Sequence, residues 1–196
     1  MKKSLGSIVI VLAVLAALFL WGKNVYNSLV SNEEKVSAQW AQVENVYQRR
    51  ADLIPNLVAT VKGYAEHESS TLEAVVAARA KATQTTVAAD DLTEENIAKY
   101  QAAQGELSTA LGRLIGIVEN YPDLKANQNF LELQAQLEGT ENRIAVERNK
   151  FNDVARAYNV QVRQFPANII AGLFHFEKKG YFQAAEGAET APKVEF

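Results

Sequence analysis

Glu66-His67-Glu68 is where this chain sets carboxylates directly on either side of an imidazole, a combination that invites a metal-site reading. The spacing argues against it. A helical metal site takes ligands three or four residues apart on one face, and here position 64 is Tyr and position 71 is Thr. A solvated or layer-forming polar cluster is expected there, with no metal and no cofactor. The paired carboxylates Glu33, Glu34 and Glu94, Glu95 fall at helix starts or on outer faces, where solvation and the helix dipole account for them. The chain has two histidines, no cysteine, no nucleophile elbow and no Gly-rich phosphate loop, so catalytic residues are not expected.

Two further polar groups stand out. Glu141-Asn142-Arg143 interrupts an otherwise apolar stripe, as a polar layer that fixes register inside a helical core does, a ligand site being the alternative. Arg49-Arg50 precedes Asp52 and Pro55. Pro is best tolerated in a first helical turn and Asp52 is placed to cap, so the chain is expected to reverse there. That puts Arg49, Arg50 and Asp52 at a distal tip with Tyr121 and Asp123, where they either meet a partner or are simply solvated.

The elements that would carry these groups are helical. Ser4 to Gly22 is uncharged and apolar between Lys2, Lys3 and Lys23, and its length as a helix, about 28 Å, matches the hydrocarbon thickness of a bilayer. Trp21 and Lys23 suit the interface. A cleaved signal is the alternative, but Ala17-Leu-Phe-Leu-Trp-Gly-Lys23 offers bulky residues where a small-x-small site is needed. Residues 1–3 are assigned to the cytoplasm, 4–22 to a transmembrane anchor and 23–165 to a bundle domain on the extracytoplasmic side. The charge difference across the span carries that orientation.

Beyond the span, Tyr26, Leu29, Val36, Trp40, Val43 and Tyr47 form a heptad-like stripe with no Pro or turn cluster between it and the anchor. One helix running from the anchor to Arg50 is expected, with Trp40 level with Gly63 across the hairpin. A second helix carries Leu53 to Val76 and fades into the polar loop Thr83 to Asp91. A third opens at Thr93-Glu-Glu95 and stops at Asn120-Tyr-Pro-Asp123. A fourth runs from Phe130 to Phe165-Pro166. The fold class is therefore all-α: an N-terminal transmembrane helix continuing into an antiparallel four-helix bundle.

An up-down-up-down course delivers residues 166–182 back to the bilayer. Phe174, Phe176, Lys178, Lys179, Tyr181 and Phe182 then either lie at the membrane interface or close the base of the core. Residues 183–196 are expected to form a disordered tail. A net charge of −3 gives no basic patch for nucleic acid.

Ala51-Asp-Leu-Ile-Pro-Asn-Leu-Val58, Val61-Lys-Gly-Tyr-Ala-Glu-His-Glu68, Glu119-Asn-Tyr-Pro-Asp-Leu-Lys-Ala-Asn127, Leu133-Gln134 with Glu141-Asn-Arg-Ile144, Tyr158-Asn159 and Phe165-Pro166 resemble the LemA family along nearly the whole chain. The resemblance implies a bacterial membrane protein with one N-terminal span and a helical-bundle domain, in a family with a magnetosome-associated branch and no established enzymatic activity. The expected role is a membrane-anchored scaffold that self-associates into homo-oligomers on the lipid bilayer. The alternative is a receptor or adaptor for a membrane or envelope protein.

Overall fold

The computed structural model describes residues 2–184, with side chains from Ile8 onward, that of Glu66 apart. The last residues of the expected tail, 185–196, lie outside them. The described residues are all-α: α1 (Lys2–Lys62), a 3-10 turn (Glu66–Glu68), α2 (Ser69–Gln84), α3 (Glu94–Val118), α4 (Pro122–Lys125), α5 (Gln128–Arg163) and α6 (Ala167–Leu173).

Helix α1 is the spine. It spans 61 residues, about 90 Å, and carries the apolar segment and the first core stripe without a break. It also runs straight through the reversal expected at Ala51-Asp52, with Pro55 inside it. A proline there removes the N–H that would bond the Ala51 carbonyl one turn back. The structure replaces that donor from another helix: Arg79 of α2 donates its Nε–H to the Ala51 oxygen at 2.8 Å. The helix therefore survives its proline, and the chain reverses about ten residues later, at Gly63 to Ala65.

This displaces the expected register. Gly63 does not face Trp40: it is exposed in the turn, and a Cβ there would meet only its own helix, the Thr60 carbonyl at 3.6 Å. Trp40 is 1% exposed and packs edge-on to Tyr100 and Phe151, with its indole N–H donated to the Val87 carbonyl at 3.1 Å.

Helix α5 runs antiparallel to α1 along most of its length, with Arg50 opposite Glu141, Gln39 opposite Glu147 and Ser28 opposite Gln161. Its start and that of α3 are capped by side chains, Asn127 accepting from the Phe130 N–H and Thr93 from the Asn96 N–H. The buried side chains form two clusters. The distal one joins Ile54, Leu57 and Val61 of α1 to Leu72 and Val75 of α2, Leu107 and Leu114 of α3, and Phe130 and Leu137 of α5.

Helix α2 ends at Gln84, too short to reach the half of the domain nearer the apolar segment. There α1, α3 and α5 enclose Val36, Trp40, Tyr100, Ile144, Phe151 and Tyr158, and the missing fourth wall is supplied by Val87 and Leu92 of the 85–93 loop and by Phe182. Burying that phenyl ring contributes about 2–3 kcal/mol.

Between the clusters lies a polar layer. Arg50 is 1% exposed, ion-paired to Glu141 at 2.7 Å, and donates to the Ser108 hydroxyl and to the side-chain and backbone oxygens of Gln104. Of the expected layer Glu141-Asn142-Arg143, only Glu141 takes part; Asn142 and Arg143 are exposed.

Candidate interaction surfaces

The expected tip residues separate. Tyr121 and Asp123 do lie at the far end from the apolar segment of α1, in the α3–α5 connection. Tyr121 donates to the Glu68 carboxylate at 3.0 Å, and Asn127 donates to the Tyr64 hydroxyl at 2.9 Å, which joins the two turns. The hydrogen bond to Glu68 holds the Tyr121 phenol protonated above its ordinary range. Arg49, Arg50 and Asp52 belong elsewhere. All three sit inside α1, Arg50 in the buried layer just described, so no arginine pair is offered at the tip.

The expected membrane-interface group also divides. Lys179 and Phe182 turn inward, at 7% and 5% exposed. Lys179 pairs with Glu33 at 2.9 Å beside the Tyr158 ring, and Phe182 stacks on Trp40. Their role is core closure. Burial and the Glu33 charge together push the Tyr158 phenol upward.

What holds this segment down was not visible in the sequence. Residues 176–184 form an extended strap, entered through His175 at φ 58°, and side-chain amides grip its backbone as a neighbouring strand would. Asn159 accepts from the Lys179 N–H and donates to the Lys179 carbonyl; Asn152 does the same for Phe182, and Gln101 for Gln183. Asn152 and Asn159 are seven residues apart on α5, about two turns, so both amides point to one groove. That spacing is the signal that could have been found. Gly180 makes the closest approach, its N–H donated to the Leu92 carbonyl at 2.8 Å.

Phe174, by contrast, remains 52% exposed, and Phe165, Ile169 and Leu173 are 76, 58 and 67% exposed. Phe176 is half-buried and Lys178 exposed. This apolar surface is braced on α1 beside its apolar segment: Ile170 sits against Gly22, and Phe174 and Phe176 pack edge-on to Tyr26. Trp21 and Lys23 are exposed at the same level. Among the described residues, α1 is the one helix long and apolar enough to cross a membrane, and its apolar stretch is wholly unburied.

Elsewhere, a carboxylate is well held at Glu147, 5% exposed, where hydrogen bonds from Gln39 and Lys150 lower its pKa below the ordinary range. Tyr47 and Tyr100 are raised mainly by burial. Among the described residues no three His, Cys, Asp or Glu side chains gather where they could hold a metal ion.

Known proteins give this architecture relatives. The chain is 27% identical over 201 residues to magnetosome protein MamQ 2 of Paramagnetospirillum magneticum, across 94% of this chain and 72% of that protein. MamQ of Magnetospirillum gryphiswaldense is 28% identical over 182 residues, covering 84% of this chain and 67% of its own length. Protein LemA of Metamycoplasma hominis is 22% identical over 164 residues, covering 82% and 69%. Residues 39–196 match the LemA family, a span that takes in the distal cluster, all of the second cluster but Val36, and the strap, and the chain belongs to that family.

Proposed function

We propose that this protein is a single-pass, membrane-anchored scaffold that self-associates side by side in a bacterial cytoplasmic membrane. The observation that carries the reading is the continuity of α1: one helix is both the apolar anchor and the wall of the core, with no linker at residues 22–30. A receptor on a flexible stalk needs a linker; a scaffold that holds its domain at a fixed height and orientation needs none. Helix α5 supplies a face for lateral contact. Leu131, Val146 and Val160 are 44, 47 and 56% exposed and about four turns apart, which keeps them on one side of the helix. That relatives are magnetosome proteins supports a role in building a cellular structure.

Lys2 and Lys3 ahead of the span, with Glu33 and Glu34 beyond it, favour a domain on the extracytoplasmic side. The adaptor alternative has lost its arginines from the distal tip, and no observation now favours it. Cross-linking in native membranes tests the scaffold directly, using Val146→Cys and Val160→Cys in a chain with no cysteine of its own. Dimers are expected from each variant alone, and higher multimers from the variant carrying both. Monomer alone, across linkers of several lengths, overturns self-association.

A further inference from the structure

We infer that α6 with the two residues before it and the one after, Phe165 to Phe174, forms a second membrane attachment, an interfacial wedge that lies against the lipid headgroup boundary and fixes the rotation of the domain about the anchor. The inference rests on α1 spanning the bilayer and adds a contact that α1 does not make.

The chain's course puts this segment at the bilayer. Helix α5 passes the level of Ser28 where Gln161 donates to that hydroxyl at 2.9 Å, and it is still heading toward the anchor. It ends two residues later, and Ile170 then reaches Gly22, the last residue before the basic flank of the apolar run. The wedge is thus level with Trp21 and Lys23, the interfacial pair of α1.

Its composition and exposure match that position. Ile169 and Leu173 are four residues apart on α6, so they share one face, with Phe165 in the turn before the helix and Phe174 just after it; all four are more than half exposed. On the other side, Ala171 is 1% exposed and the Phe176 N–H bonds the Ala171 carbonyl at 2.9 Å. The helix is therefore two-sided, with one face used by the fold and an apolar face left open. Four large apolar side chains this close together would be a liability in water.

Charge chooses the occupant. Arg163 and Lys178 flank the apolar segment in sequence, Lys23 stands on α1 next to Gly22 where Ile170 packs, and all three are exposed, whereas the stretch 163–178 holds a single acid, Glu177. A cationic rim on an apolar face, continuous with an apolar helix, fits anionic headgroups over acyl chains. A second copy of this chain would bring the same cations to meet them. The strap strengthens the argument, because it takes Lys179 and Phe182 into the core while Phe165, Ile169, Leu173 and Phe174 stay outward.

The test uses the full-length protein in vesicles of phosphatidylcholine and phosphatidylglycerol. A fluorophore is attached at Leu173→Cys, Leu12→Cys or Thr109→Cys, and quenchers are carried at set depths on the lipid chains. Leu12 lies in the anchor and Thr109 is exposed on α3 away from it. Strong quenching by deep quenchers is expected at position 12 and none at 109. At 173 the expected result is quenching by shallow quenchers, at a depth on the order of 5–10 Å. Quenching at 12 without quenching at 173 overturns the wedge and leaves the anchor standing. No quenching at either position overturns the anchor and the wedge together. Efficient 173-to-173 cross-linking with no lipid quenching assigns the face to a second copy, which also overturns the inference.

Discussion

The proline at position 55 makes a prediction with a built-in control. Arg79→Met removes the donor that serves the Ala51 carbonyl, in a residue 3% exposed. A buried acceptor left without a partner costs about 1–3 kcal/mol. Met keeps most of the aliphatic stem, so lost packing adds little. Pro55→Ala restores the N–H that would bond Ala51 within the helix, which makes the Arg79 donor redundant. Arg79→Met should therefore cost about 1–3 kcal/mol in the natural chain and only a few tenths in the Pro55→Ala background. The coupling between the two sites is then about 1–2 kcal/mol, within the range seen for residues in one network. Urea unfolding followed by circular dichroism, on all four members of the cycle, measures it. A coupling within about 0.3 kcal/mol of zero would mean that Arg79 does not replace the missing donor, and the explanation of the unbroken helix would fail.

Other consequences are as direct. A Cβ on Gly180 would stand 2.7 Å from the Glu94 Cα and 2.8 Å from its nitrogen, backbone atoms that cannot swing away, so Gly180→Ala should destabilise by about 1–3 kcal/mol. Gly112→Ala, where a Cβ meets nothing within 4 Å on the exposed side of α3, should instead stabilise by about 0.5–1 kcal/mol; equal melting temperatures for the two variants would refute the strap's close docking. A carboxyl whose folded-state pKa lies below its unfolded value stabilises above the unfolded value and loses that contribution as pH falls through the folded one, and Glu147 is such a group. The stability gap between the natural chain and Glu147→Gln should hold near neutrality and shrink as pH drops below about 4.3, whereas a gap unchanged down to pH 2.5 would contradict it. Finally, among the described residues no buried core residue precedes Leu29, so residues 24–184 should fold without the apolar segment; a far-UV spectrum lacking helix would count against that independence.

How far the sequence reveals this structure depends on whether a feature is local. The apolar run, the Thr93 start of α3, the Pro122 break and the end of α5 near Phe165-Pro166 were all legible, because each is fixed by residues within a turn or two. Pro55 misled for the opposite reason. Its compensating donor, Arg79, lies on a different helix, and no local rule finds it. The error then spread, since a hairpin at Ala51 sends Arg50 to a tip and Trp40 to Gly63. Moving the turn to Gly63 puts Arg50 into the polar layer and Trp40 against Phe151. The C-terminal segment shows the same limit. Its aromatics alone do not separate core from interface; Asn152, Asn159 and Gln101 decide it by gripping the backbone at Lys179, Phe182 and Gln183 and leaving Phe174 outside.

The central claim is that anchor and domain share one unbroken helix, and a distance measured across the join tests it most directly. Leu15 lies in the anchor and Asn45 is exposed on α1 in the domain, thirty residues on, or about 45 Å along a straight helix. With spin labels at Leu15→Cys and Asn45→Cys, and labelled chains diluted in an excess of unlabelled ones in lipid nanodiscs, pulsed electron paramagnetic resonance should return a single narrow distribution centred near that length. A broad distribution, or one centred well short of it, would mean a hinge between residues 22 and 30 and would contradict the account.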